Sequence, residues 1–181
     1  MRIVGGEARG RTLRAVPGSA TRPTADRVRQ SLFDTLGQRM DGLAVLDLYA
    51  GTGALGLEAL SRGAARATLI ESDARACGVI FHNLSALRYE DRCRVLRDEL
   101  PGALSRLRGE KYDLVFSDPP YALRAAASTL EALRASDLLS PGARVVLEMD
   151  RREPAPEVAA PLQLRDERRY GDTRVLIFSA E

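Results

Sequence analysis

The run Asp118-Pro119-Pro120-Tyr121 has the residue types best suited to chemistry, and it follows an apolar stretch at 112–117. Such a stretch predicts a buried strand, and open α/β sheets bind ligands beyond the carboxyl ends of their strands. The Asp118 carboxylate and the Pro119 carbonyl can accept both hydrogens of an amino group, and adjacent prolines hold that carbonyl rigidly. These two acceptors would free the lone pair of an amino group that is conjugated with the ring of a base, and Tyr121 would stack on that ring. The run therefore predicts methyl transfer to an exocyclic amino group of a nucleic-acid base.

A glycine-rich turn earlier in the chain predicts the site of a nucleoside-containing cofactor. The apolar stretch 44–49 leads into Gly51 and Gly53, which permit backbone angles and a close ligand approach that side chains would prevent. Glu71 ends the next apolar stretch, where a carboxylate can accept hydrogen bonds from ribose hydroxyls. The predicted cofactor-binding residues are Asp47, Ala50, Gly51, Thr52, Gly53, Glu71, Ser72 and Asp98.

Two cofactor classes fit this turn. Together with Gly56, its glycines match the G-x-G-x-x-G pattern of dinucleotide sites. Asp47, however, would repel a pyrophosphate, whereas it suits the ammonium and sulfonium groups of S-adenosyl-L-methionine. Asp98, after the third predicted strand, would accept a hydrogen bond from the adenine amino group or, equally, cap the next helix. We therefore expect S-adenosyl-L-methionine as the cofactor.

The elements that must position these residues alternate between strands and helices. Repeated β-α units predict a parallel sheet covered on both faces, and the Gly171-Asp172 turn predicts a C-terminal antiparallel hairpin. This order predicts an α/β, Rossmann-like class I methyltransferase fold with a seven-stranded, mostly parallel sheet. The predicted strands are 44–49, 67–71, 92–97, 112–117, 143–149, 162–170 and 173–179, and the predicted helices are 54–62, 74–88, 100–108 and 123–136.

Residues 1–40 are interpreted as a basic N-terminal extension of a catalytic domain at 41–181. The extension carries eight arginines and three acidic residues, a net charge of +5 in a chain whose total is +2. Its pattern predicts a small β-hairpin within 2–16 and a helix at 25–39 that Thr24 caps. Because the arginine fork matches phosphate, this clustering predicts a polyanionic partner such as nucleic acid.

Composition excludes other classes of protein. The chain has neither an apolar run of about eighteen residues, as a membrane-spanning helix needs, nor the apolar core of a signal peptide. Cys77 and Cys93 form no disulfide framework, and a single histidine, His82, leaves no metal-binding cluster. We expect a cytoplasmic, monomeric protein with no bound metal and no membrane partner.

The sequence resembles the RsmD family of 16S ribosomal RNA (guanine-N2)-methyltransferases along essentially its whole length. The resemblance rests on residues 1–11, 22–33, 46–53 and 118–121, of which the Arg22-Pro23-Thr24-Ala25-Asp26-Arg27 opening of the second stretch is the most distinctive. It implies methylation of one guanine at N2 in 16S rRNA, within the 30S subunit or its assembly intermediate. It also implies that Arg22, Arg27 and Arg29 contact RNA phosphate or the rim of the active site.

Three other functions fit part of the sequence. Adenine-N6 methylation stays open because the 118–121 run serves both amines, although 181 residues leave little room for a separate target-recognition domain. A nicotinamide-dependent oxidoreductase would explain the glycine turn but would leave 118–121 without a role. A non-catalytic RNA-binding chaperone on the same fold would not need an intact pair of acceptors.

Overall fold

Seven strands form one mixed sheet in a computed structural model that describes residues 1–18, 23–119 and 125–181. Their order across the sheet is β3-β2-β1-β4-β5-β7-β6, and β7 is antiparallel to both β5 and β6, whereas the other neighbouring pairs are parallel. The predicted sheet and its C-terminal hairpin are therefore confirmed. The strands are β1 (Ala44–Leu48), β2 (Arg66–Glu71), β3 (Cys93–Arg97), β4 (Tyr112–Ser117), β5 (Leu139–Asp150), β6 (Leu162–Tyr170) and β7 (Thr173–Ala180).

The helices begin and end close to the predicted residues, with two differences. The first begins at Pro23, ahead of the predicted Thr24 cap, because proline suits the first position of a helix, where its missing N–H costs nothing. It ends before Gly37, whose φ of 91° is the left-handed conformation that terminates helices. The segment predicted as helix 100–108 is a short 3₁₀ helix at Gly102–Leu107. The α-helices are α1 (Pro23–Leu36), α2 (Ala54–Ser61), α3 (Ala74–Leu87) and α4 (Ala125–Ala135).

Each face of the sheet has its own hydrophobic cluster, because successive side chains of a strand point to opposite faces. In β1, Val45 packs with α1, α2 and α3, whereas Leu46 and Leu48 pack with α4. On the first face, Phe33 of α1 contacts Phe116 of β4 with ring centroids 5.7 Å apart. Asp47, two residues after Val45, therefore belongs to the face that α1 covers.

Helix α1 runs opposite to the parallel strands. Its last residue, Leu36, accepts a hydrogen bond from Arg144 in the middle of β5, whereas Phe33 reaches Phe116 near the end of β4. Two residues before Phe33, the Ser31 hydroxyl lies 2.9 Å from the Tyr170 hydroxyl at the end of β6. The first turns of α1 therefore lie at the carboxyl ends of the strands, which is the ligand-binding edge of such a sheet.

The N-terminal hairpin is present and packs into the first cluster. Arg2 and Thr12 form an antiparallel β-bridge, and the Ile3 amide donates to the Arg11 carbonyl at 3.0 Å. Ile3 and Leu13 are buried in the cluster that contains Phe33. The division at residues 40 and 41 stays a prediction. In the described parts of the chain, no helix is long and apolar enough to cross a membrane.

Candidate active site

The glycine turn after β1 is held against β2 by backbone and carboxylate hydrogen bonds. The Ala50 amide donates to the Ile70 carbonyl at 3.0 Å, and the Gly51 amide donates to Glu71 Oε2 at 2.8 Å. The other carboxylate oxygen of Glu71 accepts from the Asp73 amide at 2.8 Å. Glu71 is thus fixed at the mouth of the turn, with lone pairs left over for a ligand's hydroxyl groups.

Gly51 and Gly53 are glycines for different reasons. Both have positive φ, 56° and 77°, where a side chain is strained. A Cβ on Gly53 would lie 2.9 Å from Leu69 Cδ2, so this glycine is needed by the core. A Cβ on Gly51 would meet no protein atom within 4 Å, because it would enter the open space above the turn. That open space, beside Glu71, is where the nucleoside of a cofactor fits.

Asp47 lies under the turn, 2% exposed, and its Oδ2 accepts from the Gly56 amide of α2 at 2.9 Å. Burial is the main reason that the pKa of Asp47 rises to about 7, and the charges of Asp118 and Glu71 add to it. A buried carboxylate in this state favours the arrival of a positive charge, which would restore its ionised form. The position therefore fits the cationic groups of S-adenosyl-L-methionine.

Three carboxylates meet at the ends of three neighbouring strands. Phe116 pairs with Asp47, and Ser117 pairs with Leu147, so Asp118 and Glu148 follow at the same level of β4 and β5. Asp118 is accessible to solvent, yet the protein around it desolvates the carboxylate and raises its pKa. Burial also raises the pKa of Glu148, as do the charges of Asp118 and Asp47, while Arg29 opposes the shift.

Glu148 is the residue of this group that sequence analysis missed. Its signal is an acid inside the apolar run Val145–Met149, on the same face of β5 as Val146. A carboxylate in a central strand is uncommon because burial of the charged form costs free energy. That exception, close to the end of a strand, could have identified it.

The other predicted cofactor residues lie in the glycine turn or directly after β2 and β3. Ala50 is buried, and the Thr52 carbonyl accepts from Asn83 Nδ2 at 3.1 Å. Ser72 is exposed after β2. Asp98 follows β3, pairs with Arg106 at 2.9 Å and accepts a hydrogen bond from the Glu99 amide at 2.8 Å. The hydrogen bond from Arg106 is the main reason that the pKa of Asp98 is lowered. Its predicted contact with the adenine amino group stays a prediction.

The run predicted to be catalytic lies only in part within the described residues. Asp118 and Pro119 lie directly beyond β4, and Pro119 is buried, whereas Pro120 and Tyr121 lie outside the described residues. On the other face of the sheet, Tyr49 has a φ of 60° and its hydroxyl lies 2.7 Å from Thr129 Oγ1 of α4. Among the described residues, no group of three or more His, Cys, Asp or Glu side chains has an arrangement that could hold a metal ion.

Comparisons with known proteins agree with this geometry. The family model described as Conserved hypothetical protein 95 matches residues 1–179. Ribosomal RNA small subunit methyltransferase D of Escherichia coli K12 is 35% identical, over 100% of this chain and 90% of that protein. The protein of that name from Haemophilus influenzae is 32% identical, over 85% of this chain and 81% of its own length. The chain belongs to the RsmD family of rRNA methyltransferases.

Solved structures match the chain along its length. The Escherichia coli protein yhhF superposes with a TM-score of 0.88 at 37% identity, covering 100% of this chain and 98% of that one. A hypothetical protein of Thermus thermophilus superposes with a TM-score of 0.81 at 31% identity, covering 98% of each chain. With the strand order of the sheet, these matches identify the fold of class I S-adenosylmethionine-dependent methyltransferases.

The resemblance to the RsmD family implies that three arginines contact RNA phosphate or the rim of the active site, and in the structure one of them is buried. Arg22 lies outside the described residues, and Arg27 is exposed on α1. Arg29 is 4% exposed, with its Nε 3.3 Å from Glu58 Oε2 and its Nη2 2.9 Å from Asp26 Oδ1. A guanidinium that is buried and paired in this way is not free to bind phosphate, so the phosphate contact predicted for Arg29 is corrected, while its place at the rim of the active site stays a prediction.

Glu58 instead joins three elements of this RsmD-family chain through what we call the Glu58 network. It is fully buried on α2 and pairs through Oε1 with Arg62 at 2.8 Å and through Oε2 with Arg29. Its Oε2 also accepts from the Val4 amide of the hairpin at 2.9 Å. The Arg62 guanidinium in turn lies 4.7 Å from the centre of the Phe33 ring. The network thus fixes α1 and the hairpin against α2.

Proposed function

We propose that this chain methylates the exocyclic N2 amino group of one guanine in 16S rRNA, using S-adenosyl-L-methionine. The observation that carries the proposal is the position of Asp118 and Pro119 directly beyond β4, two residues after Phe116, which pairs with Asp47 below the glycine turn. An acceptor pair for an amine and a pocket for a cationic methyl donor are therefore neighbours. The names of relatives support rRNA as the substrate, and the choice of guanine rests on the resemblance to the RsmD family.

The residues around the glycine turn fit both the ribose and the positively charged groups of the cofactor. Glu71 has free lone pairs for ribose hydroxyls beside the open space at Gly51, and buried Asp47 complements positive charge. When bound, S-adenosyl-L-methionine supplies a methyl group on a positively charged sulfur. We further propose that Ala50, Thr52, Ser72 and Asp98 complete this site.

The Asp118 carboxylate and the Pro119 carbonyl would make the N2 amine more nucleophilic. Hydrogen bonds from the N2 hydrogens to the Asp118 carboxylate and the Pro119 carbonyl would hold the nitrogen near tetrahedral geometry and free its lone pair. The nitrogen becomes positively charged and acidic as the methyl arrives, so the Asp118 carboxylate suffices to stabilise that charge and to take the proton. Tyr121 and Pro120 would complete the base pocket, and holding the amine in line with the methyl supplies much of the remaining rate.

The RNA partner would approach from the side of α1. Its first turns lie at the ligand-binding edge of the sheet, and Arg27 is exposed there. We propose that Arg27 and Arg22 contact phosphate beside the target base, in the 30S subunit or its assembly intermediate. We propose a monomer as the active form.

Mass spectrometry of 16S rRNA nucleosides from cells that lack the gene tests the activity. The expected result is loss of one N2-methylguanosine, restored by the wild-type gene. Loss of N6-methyladenosine would instead assign adenine as the substrate. Binding of NADH without any binding of S-adenosyl-L-methionine would reject the methyltransferase assignment.

Asp118→Ala tests the acceptor role with purified protein and 30S particles from the same cells. Methyl transfer should fall about 100-fold or more, as when a preorganised hydrogen-bonding group is removed from an active site. Cofactor affinity, measured by calorimetry, should change little. Asp137→Ala is the matched control, because that carboxylate is 93% exposed and pairs with Lys111 on the surface. An Asp118→Ala variant as active as this control would refute the role.

A further inference from the structure

Arg9 stands at the junction of three surface cavities beside the N-terminal hairpin. Their volumes are about 640, 360 and 380 Å³, and Arg9 lines all of them. The three cavities therefore adjoin and form one continuous recessed surface. Its other arginines are Arg39 and Arg62 in the first cavity, Arg2 and Arg27 in the second, and Arg11, Arg88 and Arg92 in the third.

Positive charge exceeds negative charge in the third cavity. Its acidic residue is Glu7, which pairs with Arg92 at 2.6 Å. Arg11 is tied down by a 2.7 Å hydrogen bond from its Nη2 to the Ala86 carbonyl. Arg9 and Arg88 are exposed, and within the described ranges neither is paired with a carboxylate. Three guanidinium groups thus remain without a counter-charge on this wall.

The backbone that carries these arginines is rigidly held. The Ala8 amide donates to Ser61 Oγ at 2.9 Å, and the Glu7 amide donates to the Ser61 carbonyl at 2.8 Å. Asn83 of α3 both accepts from the Arg14 amide at 2.7 Å and donates to the Arg14 carbonyl at 3.1 Å. Charges presented from a fixed backbone lose less conformational entropy when they bind a ligand.

The surface reaches the edge of the sheet opposite the active site. Arg88 lies in the turn between α3 and β3, where the parallel strands begin, whereas Asp118 lies where they end. The second cavity, with Arg2 and Arg27, connects this region to the first turns of α1. A polyanion that enters the active site beside α1 can therefore continue along the hairpin to Arg88.

We propose that Arg9, Arg11 and Arg88, here called the hairpin surface, bind the phosphate backbone of the substrate RNA outside the active site. The inference rests on the proposed function for the identity of the RNA. Arginine forks match phosphate oxygens, and such contacts set the position of a nucleic acid without reading its sequence. The hairpin surface would thus supply affinity and register, while the 118–121 run chooses the base.

The test compares two charge-matched double variants of the full chain. Arg9→Gln/Arg88→Gln removes two charges of the hairpin surface. Arg108→Gln/Arg168→Gln removes two exposed charges elsewhere, one after the Gly102–Leu107 helix and one on β6 at the far edge of the sheet. Binding of each protein to 30S particles is measured as a function of salt concentration, and methyl transfer is measured separately.

The hairpin-surface variant should lose about tenfold or more in affinity near physiological salt, and its slope of log K against log salt should fall by about 1.4 to 1.8. Its KM for particles should rise with kcat and cofactor affinity unchanged. If its salt slope equals that of the control variant, the hairpin surface is refuted. If the wild-type chain binds particles with the expected slope but methylates nothing, the proposed function fails while the hairpin surface stands.

Discussion

Among single residues, Asp47 shows how a proposed binding site departs from the best packing of a core. Its carboxylate is buried under the glycine turn, and burial raises its pKa to about 7 from an ordinary value of 3.8. The folded chain therefore holds this proton more tightly than the unfolded chain does. Stability is lost as the pH rises from about 4 to about 7, because the folded state must then bury a charge.

Asp47→Asn should separate stability from cofactor binding. The amide oxygen can still accept from the Gly56 amide, but no charge is buried, so the melting temperature should exceed that of wild type at pH 8 and match it near pH 4. A gain of about 1 kcal/mol corresponds to roughly 2–4 °C in a domain of this size. Asp118, Glu71 and Glu148 face the same space in both proteins.

Calorimetry with S-adenosyl-L-methionine completes this test. The Asn variant should bind the cofactor about tenfold or more weakly at pH 8, because a hydrogen bond or ion pair to a charged group contributes about 1.5–3 kcal/mol. A variant that gained stability and kept its cofactor affinity would remove Asp47 from the cofactor site. A variant with no gain at pH 8 would contradict the raised pKa.

At the scale of elements, the Glu58 network determines where α1 stands relative to the active site. Glu58→Ala should destabilise the fold by about 3–5 kcal/mol, because the buried charge of Arg62 would lose its carboxylate partner and that of Arg29 would keep only Asp26. Urea unfolding measures the loss. Glu131→Ala is the control, since it breaks an exposed pair with Arg134 and should cost less than about 1 kcal/mol. Equal losses in the two variants would contradict a structural role for the network.

The same elements show what sequence patterns can and cannot predict. Strands and helices are predictable because apolar periodicity and glycine or proline boundaries are local signals, as at β1 and its glycine turn. The role of Arg29 is not predictable in this way. Val28, Leu32 and Leu36 suggest an apolar stripe that excludes Arg29, whereas Arg29 lies one turn before buried Phe33. Its partner Glu58 is on another helix, 29 residues away, and no period within α1 reveals that contact. Glu148 stands out in the sequence as an acid in an apolar run, but its contacts are not predictable for a similar reason, because its neighbours come from β1 and β4.

For the molecule as a whole, the basic N-terminal residues are part of the main core. Ile3 and Leu13 of the hairpin are 1% and 3% exposed in the cluster that also holds Phe33 and Val45. Ile3→Ala should therefore cost about 2–5 kcal/mol, as truncation of a large core residue does. Leu164→Ala, at an exposed position on β6, should stay within about 0.5 kcal/mol.

Urea unfolding followed by both fluorescence and circular dichroism would measure these losses. A single transition shared by both signals is expected, because the hairpin and the sheet share one cluster. A loss below about 1 kcal/mol for Ile3→Ala, or a separate early transition, would instead show that residues 1–40 fold independently of the sheet.

One side chain connects the two ends of the proposed reaction complex. The Asn83 amide donates to the carbonyls of Thr52, in the glycine turn, and of Arg14, after the hairpin, both at 3.1 Å. Neither segment can shift without disturbing the hydrogen bonds of the other. Thermodynamic linkage then requires the coupling to be reciprocal. If the bound methyl donor strengthens RNA binding through Asn83 by a given free energy, bound RNA strengthens donor binding by the same amount.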